Sequence, residues 1–246
     1  MKLVIYNLAS GSRGNCTIVT DSITSIMIDA GIGYRTIKAR MPIGIAGISA
    51  LIVTHEHTDH VRSVESLMSH GIRVYAHPLC IEGIGIEGIH PIEERPFSIG
   101  SITVTPFRVP HDARYTLGFT FETEDSKVGV MTDCGHINNA IVDHLIGCES
   151  MLIESNHDIN MLKNGTYPPH LKNRISGNNG HLSNDACTKL VTYLAGRRLK
   201  SVMLGHLSEH NNTPTIALDT LREGLRRADR NLEIVVASMD TVTTIQ

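Results

Sequence analysis

The chain has 246 residues, 41% of them hydrophobic and 19% charged, which is enough to bury a full core and excludes disordered and collagen-like proteins. Aromatic residues make up only 4% and Trp is absent, so the core must be aliphatic. With 22 Lys and Arg against 25 Asp and Glu, the net charge of -3 excludes a strongly basic surface for nucleic acids. Histidine is the unusual residue, because there are 14 and three of them lie between positions 55 and 60.

Hydrophobic periodicity predicts strands and helices along the whole chain. The predicted strands are residues 3–6, 16–20, 23–29, 51–53, 73–75, 102–108, 117–122, 127–132, 151–154, 201–204 and 234–237. The predicted helices are residues 34–41, 61–70, 137–146, 184–194 and 215–229, the last with Thr213 as its cap and Pro214 in its first turn. Strands followed by helices occur twice, which predicts a layered α/β architecture of two similar halves. Residues 167–179 have a loop-like pattern, and we expect a single domain over residues 1–246.

The start of the chain and its cysteines predict a cytoplasmic protein. No stretch is apolar enough for a membrane span, and the N-terminal segment becomes polar too early for a signal peptide. The five cysteines are scattered, without Cys-x-x-Cys spacing, and are expected to be small buried residues: Cys16, Cys80, Cys134, Cys148 and Cys187.

The histidine-rich segment follows directly after an apolar strand, in the sequence Leu-Ile-Val-Thr-His-Glu-His-Thr-Asp-His at residues 51–60. His55 and His57 are two positions apart, so in extended backbone they project to one face and suit a divalent ion. Asp59 and His60 follow as the chain enters a helix, which turns them toward a second ion. The segment therefore predicts a dinuclear metal site, against the alternative of a polar surface loop with Asp59 as a helix cap.

Further ligands must come from downstream, because six residues cannot complete two coordination shells that also keep positions open for water. His111, Asp133 and His206 are the candidates. Each comes just after a predicted strand, which repeats the context of the first cluster.

The motif His-x-His-x-Asp-His at residues 55–60, with Ile-Asp-Ala-Gly at residues 28–31 and the three downstream candidates, resembles the metallo-β-lactamase superfamily over essentially the whole chain. The resemblance implies an α/β (α+β) fold, a four-layer αββα sandwich with two metals at its open edge. It also implies metal ligands, which are His55, His57 and His111 for the first metal, Asp59, His60 and His206 for the second, and Asp133 between them. Asp29 matches a residue that supports the site.

Longer strings resemble the YycJ group of bacterial metallo-hydrolases, also called WalJ or VicX. They are Gly-Ser-Arg-Gly-Asn-Cys at 11–16, Ile-Glu-Ser-Asn-His-Asp at 153–158, Gly-His-Leu-Ser-Asn at 180–184, and the segment 204–212. The resemblance implies a DNA phosphodiesterase with 5′-to-3′ exonuclease activity, in which a metal-bridging hydroxide attacks the phosphate. Asp59 is then the candidate general base, and Zn²⁺ is the expected metal, with Mn²⁺ or Fe²⁺ as alternatives.

Two similar motifs compete for one ligand position, because Gly-His-Leu-Ser occurs at residues 180–183 and again at 205–208. We assign His206 to the metal since it follows an apolar strand. His181 follows a polar, glycine-rich loop, which suits a mobile general acid and resembles a histidine of tRNA 3′-processing nucleases. The alternative for His181 is a loop residue before a helix that Ser183 or Asn184 caps.

Several polar residues are candidate substrate contacts. Glycines, a hydroxyl and a cation in the loop 10–15 favour a phosphate cradle, although the same pattern is typical of a hairpin turn. The candidate contacts are Ser12, Arg13, Asn15, His157 and Asn212, with Tyr115, Tyr167, Lys172 and Arg174 as further possibilities. Glu154 is predicted to orient His181. His77 and His136 are predicted to be surface or core histidines.

Other functions fit the same residues. A phosphodiesterase that acts on RNA, or on cyclic and small phosphodiesters, would use the same metal site. A non-nucleolytic metal protein, such as a sensor or a redox di-iron protein, is the alternative from another class. DNA is the expected partner and no membrane is expected, while the sequence leaves the oligomeric state open.

Overall fold

The computed structural model describes residues Met1–Gln246 and contains two seven-stranded sheets. The strands are β1 (Val4–Ala9), β2 (Cys16–Thr20), β3 (Ser25–Ile28), β4 (Ala50–Ile52), β5 (Val74–Ala76), β6 (His90–Pro91), β7 (Phe97–Ile99), β8 (Ile102–Val109), β9 (Thr116–Glu122), β10 (Lys127–Met131), β11 (Ser150–Glu154), β12 (Ser201–Gly205), β13 (Glu233–Val236) and β14 (Thr243–Ile245). The first sheet has the order β14-β1-β2-β3-β4-β5-β6 and the second β13-β12-β11-β10-β9-β8-β7. The strands β10 to β13 run parallel, as do β3 to β6.

The chain forms nine α-helices, most of which pack on the outer faces of the two sheets. They are α1 (Tyr34–Arg40), α2 (Thr58–Val61), α3 (Val64–Ser69), α4 (Pro78–Ile84), α5 (Asn139–Leu145), α6 (Ile159–Asn164), α7 (Pro169–Ser176), α8 (Asn184–Ala195) and α9 (Pro214–Arg227), with a 3-10 turn at Ile45–Gly47. None of the helices is long and apolar enough to cross a membrane.

Three hydrophobic clusters separate four layers. Residues such as Leu51 and Leu67 fill the space between the first sheet and its helices. Ile5, Phe119 and other aliphatic or phenyl side chains join the inner faces of the two sheets. A third cluster packs the second sheet against α5, α8 and α9. The predicted αββα sandwich is therefore confirmed, and its core is aliphatic as composition requires.

Most predicted elements form within a few residues of the expected bounds, but three helices and three short strands were not predicted. The helix α7 lies in the segment 167–179 that we expected to be a loop. It buries none of its residues, so it lacks the apolar stripe on which helix prediction depends. The predicted helix 61–70 is divided into α2 and α3, because Ser63 leaves helical geometry and its hydroxyl donates to the Ile32 carbonyl.

Functional candidates lie at the carboxyl ends of strands from both sheets. The chain leaves β3 at Asp29, β10 before Asp133 and β12 at His206, and these three residues have left-handed backbone with φ of 60°, 55° and 53°. Non-glycine residues rarely adopt this conformation, and it concentrates at functional sites. The sharp turns point three polar side chains toward the shared edge of the sandwich.

Close backbone contacts around Gly31 hold the histidine-rich loop in place. Gly31 N donates to the Asn15 carbonyl and Asn15 N to the Asp59 carbonyl, each at 2.8 Å. A Cβ on Gly31 would lie 1.6 Å from the Asp59 carbonyl oxygen, so no larger residue fits.

We therefore expect Gly31→Ala to lower the free energy of unfolding by about 3 kcal/mol or more, because the backbone at Asp59 would have to move. Urea denaturation measures this change. Gly33→Ala is the matched control, since a Cβ there meets nothing within 4 Å. Equal stability of the two variants would contradict this account of the loop.

Candidate metal centre

Three imidazoles form one side of the site. His55 and His57 leave β4 together, and their facing nitrogens, Nε2 and Nδ1, are 3.1 Å apart. The His111 ring centroid lies 5.1 Å from that of His55 and 5.3 Å from that of His57. His111 Nδ1 donates to the Gly180 carbonyl at 3.1 Å, which leaves Nε2 for the centre. These three side chains can share one ion.

Asp59, His60 and His206 form the other side. Asp59 Oδ2 lies 3.4 Å from His60 Nε2 and 4.0 Å from His206 Nε2. His60 Nδ1 donates to Asp29 Oδ2 at 2.7 Å, and Asp29 also accepts from the amide and hydroxyl of Thr54. Because His60 Nδ1 is hydrogen-bonded to Asp29, the other ring nitrogen of His60, Nε2, faces the site.

Asp133 lies between the two groups. Its Oδ2 is 3.3 Å from His60 Nε2, and its Oδ1 is 3.8 Å from His111 Nε2 and 3.5 Å from His206 Nδ1. The side chain is only 4% exposed. The Asp133 carboxylate therefore lies close to imidazole nitrogens on both sides of the site.

Among the candidate metal ligands, two buried atoms have no hydrogen-bond partner in the protein, Asp133 Oδ2 and His206 Nε2. Buried polar atoms are nearly always satisfied, so unpaired ones need an explanation. Imidazole nitrogen and carboxylate oxygen are the ligands that zinc, manganese and iron accept. Both orphan atoms point to a cation, and the residues present fit divalent metal ions.

The pKa shifts of the candidate ligands are those expected of a site that binds a cation. Burial lowers the pKa of His55 and of His111, which favours the neutral imidazole that binds metals. Burial opposes ionisation of Asp133, but the charges of His206 and His60 outweigh it and hold its pKa well below the usual value. His206 shows the reverse balance, since Asp133, Asp59 and Glu154 overcome burial and raise its pKa to about 10. A bound cation would replace that proton.

Glu154 is fully buried and is the hydrogen-bonding hub behind the site. Its Oε1 accepts from Nδ1 of both His181 and His206 at 2.8 Å, and its Oε2 accepts from the amides of Cys134 and Leu182. The histidines of the two similar motifs thus share one acceptor. They differ in exposure, at 21% for the His181 side chain and 4% for that of His206.

The surroundings of His181 favour the charged form of its imidazole. Burial disfavours its imidazolium, but Glu154 outweighs that cost and raises the pKa. Its Nδ1 lies 3.7 Å from Asp133 Oδ1, so the ring stands beside the metal-ligating groups. The ring is fixed by Glu154, in contrast to the mobile side chain expected from the polar loop.

Two of the predicted substrate contacts, Asn212 and Asn15, are buried. Asn212 is 4% exposed, and its amide donates to the Ser155 and Asn156 carbonyls inside the protein. Asn15 is also buried, and its Nδ2 lies 3.1 Å from His60 Nε2 and 3.5 Å from Asp59 Oδ2. Both amides are used to hold the interior and the ligand loops, so neither is free for a substrate.

The other candidates have different surroundings. Ser12 is exposed, and the exposed Arg13 pairs with Glu209 at 2.5 Å. His77 stacks on Tyr115 with ring centroids 3.6 Å apart, and His136 Nδ1 donates to the Asn178 carbonyl. The sequence reading missed Thr54, whose hydroxyl contacts Asp29, His55 and His60. The position of Thr54 between a buried strand and the first histidine is the sequence feature that could have identified it.

A cavity of about 430 Å³ opens beside His111. Arg108, Arg114 and Tyr115 line it, with Glu94 as the acidic wall residue. The Arg108 guanidinium lies 4.8 Å from the Tyr115 ring centroid. The Tyr115 ring is therefore packed against both Arg108 and His77.

A family model described as a β-lactamase superfamily domain matches residues 24–206. The chain belongs to the β-lactamase superfamily. Exodeoxyribonuclease WalJ of Streptococcus pneumoniae is 30% identical over 251 residues, which cover 95% of this chain and 92% of that protein. Exodeoxyribonuclease YycJ of Bacillus anthracis is 30% identical over 85% of this chain and 84% of its own length.

Solved structures agree on the fold. The metallo-β-lactamase fold protein YhfI of Bacillus subtilis superimposes with a TM-score of 0.75 at 14% identity, covering 98% of this chain and 99% of that one. The superfamily, the fold and the donor set identify a metal-dependent hydrolase.

We expect Glu154→Gln to weaken metal binding by roughly 10- to 100-fold, because both histidines lose the carboxylate that orients them. Isothermal titration with Zn²⁺ measures this loss. Glu149→Gln is the matched control, since Glu149 lies before the same strand and pairs with Arg198 and Lys200. Unchanged affinity of Glu154→Gln would contradict the role of Glu154 as the hub.

Proposed function

We propose that the protein is a DNA exonuclease that removes nucleotides from 5′ ends by metal-dependent hydrolysis. One observation carries the proposal, namely the convergence of imidazoles and carboxylates from both sheets beside His181, which donates a hydrogen bond to the buried Glu154. Similarity to two proteins named exodeoxyribonucleases along most of the chain supports DNA as the substrate. The same convergence supports a single domain over residues 1–246, since each sheet supplies part of the site.

The proposed ligand set divides into two groups and a shared residue. His55, His57 and His111 would hold one ion, Asp59, His60 and His206 the other, and Asp133 would contact both. Zn²⁺ is the first choice for this donor set, with Mn²⁺ or Fe²⁺ as alternatives. Such ions, when bound, lower the pKa of water to near neutrality and neutralise the charge that develops on the phosphate.

The chain's own residues supply the proton transfers. Burial opposes ionisation of Asp59, but the neighbouring imidazoles of His206 and His60 hold its pKa below the usual value. Asp59 is therefore an ionised acceptor that can orient the attacking water and take its proton. His181 Nδ1 donates to Glu154, which leaves the Nε2 proton for the leaving oxygen. An ionised base and a protonated acid in one site suit hydrolysis near neutral pH.

A cytoplasmic location is part of this proposal. All five cysteines are buried and unpaired, which fits a reducing compartment. DNA in the same compartment would meet the site at the open edge of the sandwich.

Digestion of end-labelled DNA tests the function. With Zn²⁺ or Mn²⁺, we expect the protein to degrade linear duplex DNA and to spare closed circles. Asp59→Asn keeps the size of the side chain but removes its charge, so we expect the rate to fall by roughly 100-fold or more. Cleavage of circles would contradict the exonuclease assignment, and full activity of Asp59→Asn would contradict the role of this carboxylate.

A further inference from the structure

A second cavity of about 430 Å³ adjoins the site on the His181 side. It lies between α6, α7 and the start of α8. Lys163 comes from α6, Lys172, Asn173 and Ser176 from α7, and His157 from the loop after β11. A volume of this size is within the range of small-ligand sites.

The lining of this cavity is cationic. It contains two lysines and two histidines but no carboxylate, although the whole chain has a net charge of -3. Lys172 Nζ donates to the Lys163 carbonyl at 2.9 Å, so the lysine-bearing segments of α6 and α7 meet there. Lys172 and Ser176 are four residues apart and share a face of α7. Positive charge without acidic partners, together with amide and hydroxyl groups, indicates an anion as the occupant.

His157 is a buried histidine in the cavity wall. It is 3% exposed, and its Nδ1 has no hydrogen-bond partner in the protein. The backbone at this position is fixed, because the His157 carbonyl accepts from Asn184 N at 2.9 Å. A buried ring with spare hydrogen-bonding capacity, beside two ammonium groups, suits recognition of a phosphate.

The position of the cavity fixes which phosphate it would meet, if the proposed 5′-to-3′ direction holds. In that reaction water oxygen bonds to phosphorus, the bond to O3′ of the terminal nucleotide breaks, and O3′ takes the proton of His181. The terminal nucleotide must therefore lie on the His181 side. Its own 5′ end then extends away from the scissile phosphate and into the adjoining cavity.

We propose that this cavity binds the 5′-phosphate of the terminal nucleotide, with Lys163 and Lys172 as its charge partners and His157 as a hydrogen-bonding partner. The enzyme then prefers 5′-phosphorylated DNA to DNA with a 5′-hydroxyl. Each cut leaves a 5′-phosphate on the shortened strand, so every product end is again a preferred substrate. On 5′-hydroxyl DNA only the first cut is slow, which produces a lag.

The test compares first-cut rates on 3′-labelled linear duplexes that differ only in a 5′-phosphate or a 5′-hydroxyl. We expect wild-type protein to cut the phosphorylated end roughly 10-fold faster or more, the usual effect of hydrogen bonds to a charged group. Lys163→Ala and Lys172→Ala should each bring the ratio of the two rates toward one and shorten the lag. The ammonium groups of both lysines lie at the protein surface, so these variants are expected to fold.

Two controls isolate the cavity. Lys38→Ala, on the exposed surface of α1, should leave both rates unchanged. Arg114→Ala, in the cavity beside His111, should lower both rates by the same factor and keep their ratio. Equal wild-type rates on the two ends, or a ratio that Lys163→Ala and Lys172→Ala leave intact, would overturn the 5′-phosphate site. Failure to degrade either DNA would instead overturn the exonuclease proposal.

Discussion

Burial of three carboxylates at one edge of the sandwich is the constraint on which the site depends. The side chains of Asp29, Asp133 and Glu154 are each at most 4% exposed. An unpaired buried charge costs several kcal/mol, so the fold must supply partners. Histidines are the partners of all three carboxylates. In two of these pairs, His60 with Asp29 and His206 with Glu154, the carboxylate accepts a hydrogen bond from Nδ1, so Nε2 of the ring faces the centre of the site. The same interactions that make the carboxylates tolerable also aim the metal-binding nitrogens.

This arrangement accounts for a nuclease without a basic surface. The net charge of -3 removes long-range attraction for DNA, but bound divalent ions would concentrate positive charge where the scissile phosphate lies. Beyond the ions, the cavities that flank the site on the His111 and His181 sides contain arginine and lysine side chains. Under the proposed function, the contacts with DNA would be local and concentrated near the strand end.

Local patterns of apolar strands and the residues that follow them predicted a layered α/β architecture and placed the candidate ligands at strand ends. His111, Asp133 and His206 were found in this way, and the structure brings them to one edge. The four-layer αββα sandwich was implied by the resemblance to the metallo-β-lactamase superfamily. The roles of Asn15, Asn212 and Thr54 depend on contacts with distant segments, such as Asn15 with residues 59 and 60. No local pattern carries that information. The helix α7 was missed for a related reason, since it buries no residue, and with it the cavity beside His181.

The central claim is that two histidines sharing Glu154 have different roles, with His206 binding metal and His181 donating a proton. Metal content and turnover on linear DNA, measured together for wild type, His181→Gln and His206→Gln, test it most directly. The account predicts two ions in wild type and in His181→Gln, with turnover of the latter lower by roughly 100- to 10,000-fold, and one ion in His206→Gln. Loss of an ion from His181→Gln, or two ions in His206→Gln, would contradict it.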